Sequence, residues 1–161
     1  MNDNLKNSTD LVNFSSSILN GNLKICVIGV GRIGLPTALS FAKSGLPTIG
    51  IDINSELVNK INSNDYPLKD EPGYDVIFNE VVTNKTFYAS TEIEEIVPNS
   101  NVILLSLPTP MNDKNIPDYS ALKSVAKQLG DLLEFDSLVV VESTIEPGFV
   151  ENELIEIIES G

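Results

Sequence analysis

Three glycines near the start of the chain have the types and spacing of a phosphate-binding turn. Gly29, Gly31 and Gly34 form the pattern G-x-G-x-x-G, directly after the apolar run 23–28 and directly before a helical pattern. In such a turn the first glycine permits the sharp bend from strand to helix and the second lets a pyrophosphate approach the backbone. The third lets the helix pack closely on the strand. The free N–H groups and positive dipole end of that helix would then hold the anion.

An aspartate follows the next apolar run. Asp52 comes directly after Thr48–Ile51, close to the roughly 20-residue distance at which an acid binds the 2′-hydroxyl of a ribose. Strand, turn, helix, strand and acid in this order predict a dinucleotide-binding site. The alternative is a glycine turn in another α/β fold, with an incidental acid.

Composition and charge exclude several classes of protein. The 161 residues, 42% of them hydrophobic, are enough for one substantial core. The net charge of −13 argues against nucleic acid and against an anionic membrane surface as partners, because both attract basic patches. No apolar run has the length of a membrane span. An anionic cofactor must therefore be held locally, by backbone N–H groups.

The chain has one cysteine and no histidine. Without histidine, neither a Ser–His–Asp triad nor a Cys/His metal site can be built, and we expect no metal. Cys26 lies among apolar residues in the first predicted strand, so we interpret it as a buried hydrophobic residue rather than a reactive thiol. A single cysteine cannot form an internal disulfide, which suits a reducing, cytoplasmic location.

Strand and helix signals alternate along the chain after a polar tail, residues 1–22, that we expect to be flexible. The predicted strands are 23–28, Thr48–Ile51, 86–89, 101–107 and Leu138–Val141. Predicted helices start at Asn54 or Ser55, Pro72, Thr91 (as a capping box with Glu94), Pro117 and Pro147. Residues 23–161 are therefore expected to form one α/β domain. Its sheet would be doubly wound and parallel, in the order 3-2-1-4-5-6, and truncated before the sixth strand.

Three further segments fall at the ends of predicted strands or just before a helix. They are S-L-P-T-P (106–110), E-S-T-I-E-P-G (142–148) and D-E-P-G-Y (70–74). Together with G-V-G-R-I-G-L-P and I-G-I-D-I-N, the ordered set resembles the NAD-binding Rossmann domain of the UDP-glucose/GDP-mannose dehydrogenase family from residue 23 onward. The segment M-N-D-K-N-I-P-D resembles the branch that oxidises UDP-N-acetylhexosamines.

The resemblance implies an enzyme that oxidises the 6-hydroxymethyl group of a UDP-sugar to a carboxylate and reduces two NAD⁺, for polysaccharide or glycan precursors. In the family, the central helix, the sugar-nucleotide domain and the catalytic cysteine, lysine and asparagine lie beyond the NAD-binding domain. Cys26 does not match that cysteine. The resemblance therefore implies that this chain is the cofactor-binding half of a homo-oligomeric enzyme and is inactive alone.

The resemblance also assigns the adenosine and pyrophosphate contacts. The backbone N–H groups of Arg32 and Ile33 match donors to the pyrophosphate, within the turn of the three glycines. The Arg32 side chain lies over the phosphates or, alternatively, is a solvated surface arginine. Asp52 matches the acid that binds the adenine ribose, and Asn54 matches a residue that flanks the adenosine.

The nicotinamide end is assigned to the later segments. Thr109 of P-T-P matches a residue that lines the cofactor near the nicotinamide. Glu142 matches a residue at the same end of the cofactor. Thr144 matches the catalytic threonine that helps to hold a water in the reaction centre. The alternatives are loop, turn or capping hydroxyls for the threonines and a solvated carboxylate for Glu142. Tyr74 replaces the leucine usual in E-P-G-L and is interpreted as a packing residue.

Two other classes fit part of the pattern. Another Rossmann dehydrogenase, of the 3-hydroxyacyl-CoA or 6-phosphogluconate type, would have a similar first half but not both P-T-P and E-S-T-I-E-P-G. A non-catalytic NAD-sensing module would be complete at about this length. No residue of the chain is a convincing base for removing the proton of the substrate alcohol.

Overall fold

The computed structural model describes residues 22–134 and 136–161. The predicted polar tail, apart from Asn22, lies outside these ranges. The described strands are β1 (Ile25–Ile28), β2 (Thr48–Ile51), β3 (Phe87–Ser90), β4 (Val102–Leu105) and β5 (Leu138–Val141). The described helices are α1 (Gly34–Lys43), α2 (Ser55–Asn62), α3 (Asp75–Thr83), α4 (Ile93–Ile96), α5 (Ser120–Leu132) and α6 (Ile155–Glu159). A 3₁₀ turn, Val97–Asn99, follows α4, and a π-helical turn, Val150–Leu154, precedes α6.

The five strands form one parallel sheet in the order β3-β2-β1-β4-β5. Central β1 pairs with β2 on one side and β4 on the other, so that Ile25 lies opposite both Thr48 and Val102. The chain runs outward through β2 and β3 and then returns across the sheet to β4. This reversal beside β1 is a topological switch point, where ligands bind at the carboxyl ends of the strands. The predicted doubly wound parallel sheet is confirmed.

The core has two layers, one on each face of the sheet. Successive side chains of a strand point to opposite faces, and β1 supplies both layers. Ile25 and Val27 pack with α1 and α3, whereas Cys26 and Ile28 belong to the layer that contains α5 residues such as Leu129. Burial on both faces explains why β1 and β4 are continuously apolar in sequence.

Cys26 is fully buried, as predicted. Burial raises the pKa of its thiol to about 12 and outweighs the opposite effect of a hydrogen bond with Ser100. The thiol is therefore neutral at physiological pH and behaves as a small apolar side chain.

The helices predicted to start at Pro72 and Pro147 both begin later. A glycine with positive φ follows each proline, Gly73 at +106° and Gly148 at +90°. This left-handed backbone turns the chain out of the helical path, and α3 accordingly begins at Asp75. Each proline therefore correctly predicted that a helix follows, but the predicted first residue of the helix was wrong.

Two other predicted helix starts are also wrong. The capping box expected from Thr91 does not form, because its hydroxyl donates to the neighbouring Glu92 carboxylate at 2.6 Å. The helix expected from Pro117 begins at Ser120, whose N–H donates to the Asp118 side chain at 2.9 Å. In both places a short polar side chain bonds locally and delays the helix.

No helix in the two described ranges has the length and apolar character needed to cross a membrane.

Candidate dinucleotide-binding site

The Gly-rich turn between β1 and α1 lies at the carboxyl edge of the sheet. Gly29 has φ of +90°, and a Cβ at that position would lie 2.6 Å from the Ser106 carbonyl oxygen. A Cβ on Gly34 would lie 1.8 Å from the Gly29 carbonyl oxygen. These two glycines are required by close backbone packing. A Cβ on Gly31, in contrast, would meet no atom within 4 Å, so this glycine borders open space.

The start of α1 suits an anion. Its first turn contains no acidic residue, and no side chain caps it in the described structure. Ile33 already has helical φ and ψ, and its carbonyl oxygen accepts from the Thr37 N–H at 3.2 Å. The positive dipole end of α1 is therefore directed at the open space beside Gly31.

Asp52 is fixed beside this turn. One carboxylate oxygen accepts from the Val30 N–H at 3.1 Å and the other from the Asn54 N–H at 2.9 Å. The Asp52 N–H donates to the Ser90 carbonyl at 3.1 Å. Because each carboxylate oxygen can accept a second hydrogen bond, Asp52 can still bind a hydroxyl pair from a ribose.

Asn54 is the N-cap of α2. Its side-chain oxygen accepts from the N–H groups of Glu56 at 3.0 Å and Leu57 at 3.2 Å. Because its side-chain oxygen caps α2, Asn54 can make the predicted contact with an adenosine only through its exposed side-chain NH₂ group. The backbone N–H of Asn54 donates to the Asp52 carboxylate, so the start of α2 and Asp52 are linked directly.

A cleft of about 640 Å³ lies between the Gly-rich turn, the end of β2 and the start of α5. Its apolar lining includes Ile33, Ile51, Ile53, Ile93, Leu107 and Val125. Ile53 is 99% exposed and Ile33 is 63% exposed, although both are large hydrophobic residues. Such apolar walls suit the flat face of a base. Sequence reasoning missed Ile53 and Ile93, and the only signal was an isoleucine directly after Asp52.

The Arg32 side chain is bound to the segment that contains D-E-P-G-Y. Its guanidinium donates to the Asp70 carboxylate at 2.5 Å and to the Glu71 carboxylate at 2.6 Å. The two acids, Asp70 foremost, raise the pKa of Arg32, and the guanidinium lowers the pKa of Asp70. Arg32 is exposed, but it is paired.

Glu142 connects three elements at the other end of the carboxyl edge. It follows β5, and its carboxylate accepts from the hydroxyl of Thr37 on α1 at 3.2 Å and from the hydroxyl of Ser106 after β4. Its N–H donates to the Leu105 carbonyl at 2.9 Å. Glu142 is therefore a half-buried bridging carboxylate rather than a solvated one. Neither Thr37 nor Ser106 was predicted.

The two predicted threonines lie together. The Thr109 hydroxyl donates to the Thr144 carbonyl oxygen at 2.9 Å, and Ser143 bonds both the N–H and the carbonyl of Leu107. The Thr144 side chain is exposed. With two strands between them, β2 and β5 are separated by roughly 14 Å. Asp52 and Thr144 thus follow two strands that are three strand spacings apart at the carboxyl edge of the sheet.

Fold and site together define a dinucleotide-binding Rossmann domain. Residues 23–161 match the NAD binding domain of the UDP-glucose/GDP-mannose dehydrogenase family. The chain belongs to this family, and the match identifies the cofactor as NAD. The alternative of another Rossmann dehydrogenase family is therefore wrong.

The relatives are nucleotide-sugar dehydrogenases. UDP-N-acetyl-D-mannosamine dehydrogenase of Pyrococcus horikoshii is 36% identical over 129 residues, which are 80% of this chain and 30% of that protein. The enzyme of the same name from Campylobacter jejuni has the same identity and coverage. These names confirm the resemblance to the UDP-N-acetylhexosamine branch. The chain spans about 30% of the length of these relatives.

Solved structures agree with the sequence comparison. The UDP-D-ManNAc dehydrogenase of Pyrococcus horikoshii superposes with a TM-score of 0.79 at 35% identity, over 86% of this chain and 32% of that one. GDP-mannose dehydrogenase of Pseudomonas aeruginosa, solved as a ternary complex, gives a TM-score of 0.80 at 27% identity, over 84% of this chain and 32% of that one.

Proposed function

We propose that this chain is the NAD-binding part of a dehydrogenase that oxidises the 6-hydroxymethyl group of a UDP-N-acetylhexosamine to a carboxylate and reduces two NAD⁺. The observation that carries the proposal is the open space at Gly31, bordered by the start of α1 on one side and by the fixed Asp52 carboxylate on the other. The names of the relatives support the choice of sugar nucleotide.

The adenosine half of the cofactor is bound by the first half of the sheet. The N–H groups of Arg32 and Ile33 donate to the pyrophosphate at the start of α1, and Gly31 leaves room for it. Asp52 accepts from the adenine ribose. The apolar walls, including Ile53, hold the adenine and exclude water from it.

The nicotinamide half is positioned by the loops after β4 and β5. The cofactor supplies the hydride acceptor, and the protein orients it against the substrate carbon. Thr109 and Glu142 fix the two loops through their hydrogen bonds, and Glu142 also borders the nicotinamide end of the site. The exposed hydroxyl of Thr144 is our candidate for the catalytic hydrogen bond in the reaction centre.

We infer that the 161 residues bind NAD without reducing it. In the described ranges the only thiol, that of Cys26, is buried and neutral, and the chain has no histidine to act as a base.

Titration calorimetry with NAD and NADP tests the assignment of the site. The extra phosphate of NADP would meet the Asp52 carboxylate and lose a hydrogen bond, so we expect at least ~10-fold weaker binding than for NAD. Asp52→Asn keeps an acceptor for the Val30 N–H but removes the charge. This variant should bind NAD more weakly, and the difference in affinity between NAD and NADP should become smaller.

The matched control is Asp113→Asn, an exposed residue outside the cleft lining with the same change of charge. It should leave both affinities unchanged. Equal or tighter binding of NADP by the unmodified chain would contradict the role given to Asp52.

A further inference from the structure

Arg32 is the only arginine of the chain. It is also the only basic residue among those that line the cleft, where the other charged residue is Asp52. In a protein with a net charge of −13, Arg32 is therefore the main side-chain attraction for a pyrophosphate. Yet its guanidinium is already paired with two carboxylates, those of Asp70 and Glu71.

The acidic partners belong to the segment 65–74 between α2 and α3. Tyr66 fixes one end, because it is buried and its ring lies 5.2 Å from that of Phe78. Beyond Tyr66 the segment is exposed at Lys69 and Asp70, and a turn closes where the Glu71 N–H donates to the Leu68 carbonyl at 2.9 Å. Arg32 joins this exposed part of the segment to the Gly-rich turn.

We propose that Arg32 changes partners when a dinucleotide binds. In the free protein the guanidinium is bound to Asp70 and Glu71. With the pyrophosphate in place it turns to the phosphate oxygens, and residues 68–73 lose their connection to the Gly-rich turn. The proposal rests on the proposed NAD site.

The energetic argument compares two kinds of ion pair. Exposed pairs of arginine with carboxylates contribute little to stability, and the side chains of Arg32 and Asp70 are each 63% exposed. A pyrophosphate offers two negative charges and several oxygens in the geometry that a guanidinium binds with two parallel hydrogen bonds. A pyrophosphate bound at the Gly-rich turn would also interact with the positive dipole end of α1, so we expect it to be the stronger partner. The two acids thus lower the affinity for phosphate ligands by competing for Arg32.

Calorimetry with ADP and adenosine tests the competition. Asp70→Asn and Glu71→Gln, singly and together, remove the competing charges, and we expect ADP to bind roughly threefold tighter to the double variant. Adenosine lacks the pyrophosphate, so its affinity should not change. The matched control is Asp65→Asn, which removes one charge from the same segment but pairs with Lys69, at 2.6 Å, and not with Arg32. It should leave the affinity for ADP unchanged.

A double-mutant cycle separates competition for Arg32 from simple repulsion. In an Arg32→Ala background the two acid substitutions should have no effect on ADP binding. If they tighten it as much as in the unmodified chain, or if Asp65→Asn does so as well, the effect is general repulsion and the proposal is wrong.

Amide hydrogen exchange follows the segment directly. Exchange in residues 68–73 should become faster when ADP or NAD binds, and in Arg32→Ala it should be fast with or without ligand. Slower exchange upon binding would mean that the segment stays attached, which overturns the proposal but not the NAD site. Failure of the unmodified chain to bind NAD or ADP would overturn both.

Discussion

Each glycine of the Gly-rich turn has a different neighbour, so an added methyl group should have a different effect at each. At Gly34 the new Cβ would overlap a backbone oxygen, which cannot move aside without disturbing β1. At Gly31 it would project into open space at the surface. Stability and cofactor affinity are thus separable within one short motif.

Gly34→Ala should lower the free energy of unfolding by about 3 kcal/mol, as overpacking against fixed atoms does. Gly31→Ala should change that free energy by no more than about 0.5 kcal/mol. It should nevertheless lower the affinity for NAD at least ~10-fold, because the added methyl group occupies the space of the pyrophosphate. Urea unfolding and calorimetry on both variants measure the two quantities. A stable Gly34→Ala protein, or unchanged NAD affinity in Gly31→Ala, would contradict this account.

Cys26 should resist alkylation by iodoacetamide at mildly alkaline pH in the folded protein and react only when urea unfolds the chain. Its pKa is raised to about 12 from an ordinary value of 9.0, and the side chain has no exposed surface. Because the pKa of the thiol is higher in the folded chain than in the unfolded chain, the contribution of the thiol to stability is complete below its unfolded pKa. That contribution is lost as the pH rises toward the folded pKa. Modification of the folded protein at the rate of a free thiol would refute the burial.

The sequence predicts those parts of the site that local spacing determines. The three glycines and Asp52 are recognisable because turn, helix and strand end lie close together in the chain. The contact between Thr37 and Glu142 joins residues 105 positions apart, and the Arg32 pairs join residues 38 and 39 apart. Those contacts depend on how the elements pack, which no local pattern specifies.

At the scale of elements, the ends are less predictable than the interiors. β2 and β5 have the predicted bounds because turn residues delimit their apolar runs, and α2 starts at the predicted cap. Elsewhere, positive-φ glycines and short side-chain hydrogen bonds delay the helices beyond the prolines that precede them. Proline permits a helix start, but the residues that follow decide it.

Asn54→Ala should lower the free energy of unfolding by about 1 kcal/mol, because two N–H groups of α2 lose their acceptor. Asn54→Asp should restore most of that loss, since a carboxylate caps equally well. Asn59→Ala, an exposed substitution within the same helix, is the control and should change little. Equal losses for Asn54→Ala and Asn59→Ala in urea unfolding would show that the cap contributes nothing.

At the scale of the whole molecule, β5 is an edge strand that exposes apolar surface. In the described part of the chain β5 pairs with β4 alone. Leu138 is 49% exposed and the three valines that follow it are half-buried. Neither charge nor proline interrupts this strand, and an open apolar edge is a template for pairing with another chain.

We therefore expect the 161-residue chain to associate through β5 as its concentration rises, despite its net charge. Leu138→Lys should suppress the association, because a charge on an edge strand opposes pairing. Tyr88→Lys places the same charge on β3, at the opposite edge, and should not. Size-exclusion chromatography with light scattering measures the mass; a monomer at every concentration, or suppression by both variants, would contradict the role of β5.

The return of the chain from β3 to β4 has a consequence for the order of assembly. The Gly-rich turn and Asp52 belong to β1, β2 and their helices, a contiguous stretch of sequence. Thr109, Glu142 and Thr144 come from the stretch that adds later along the chain. The strands β1 and β2 can therefore pair before β4 is in place, whereas the Gly-rich turn is packed only when Ser106, after β4, lies against Gly29. The Thr37–Glu142 hydrogen bond then links the helix after β1 to the end of β5, across the two stretches of sequence.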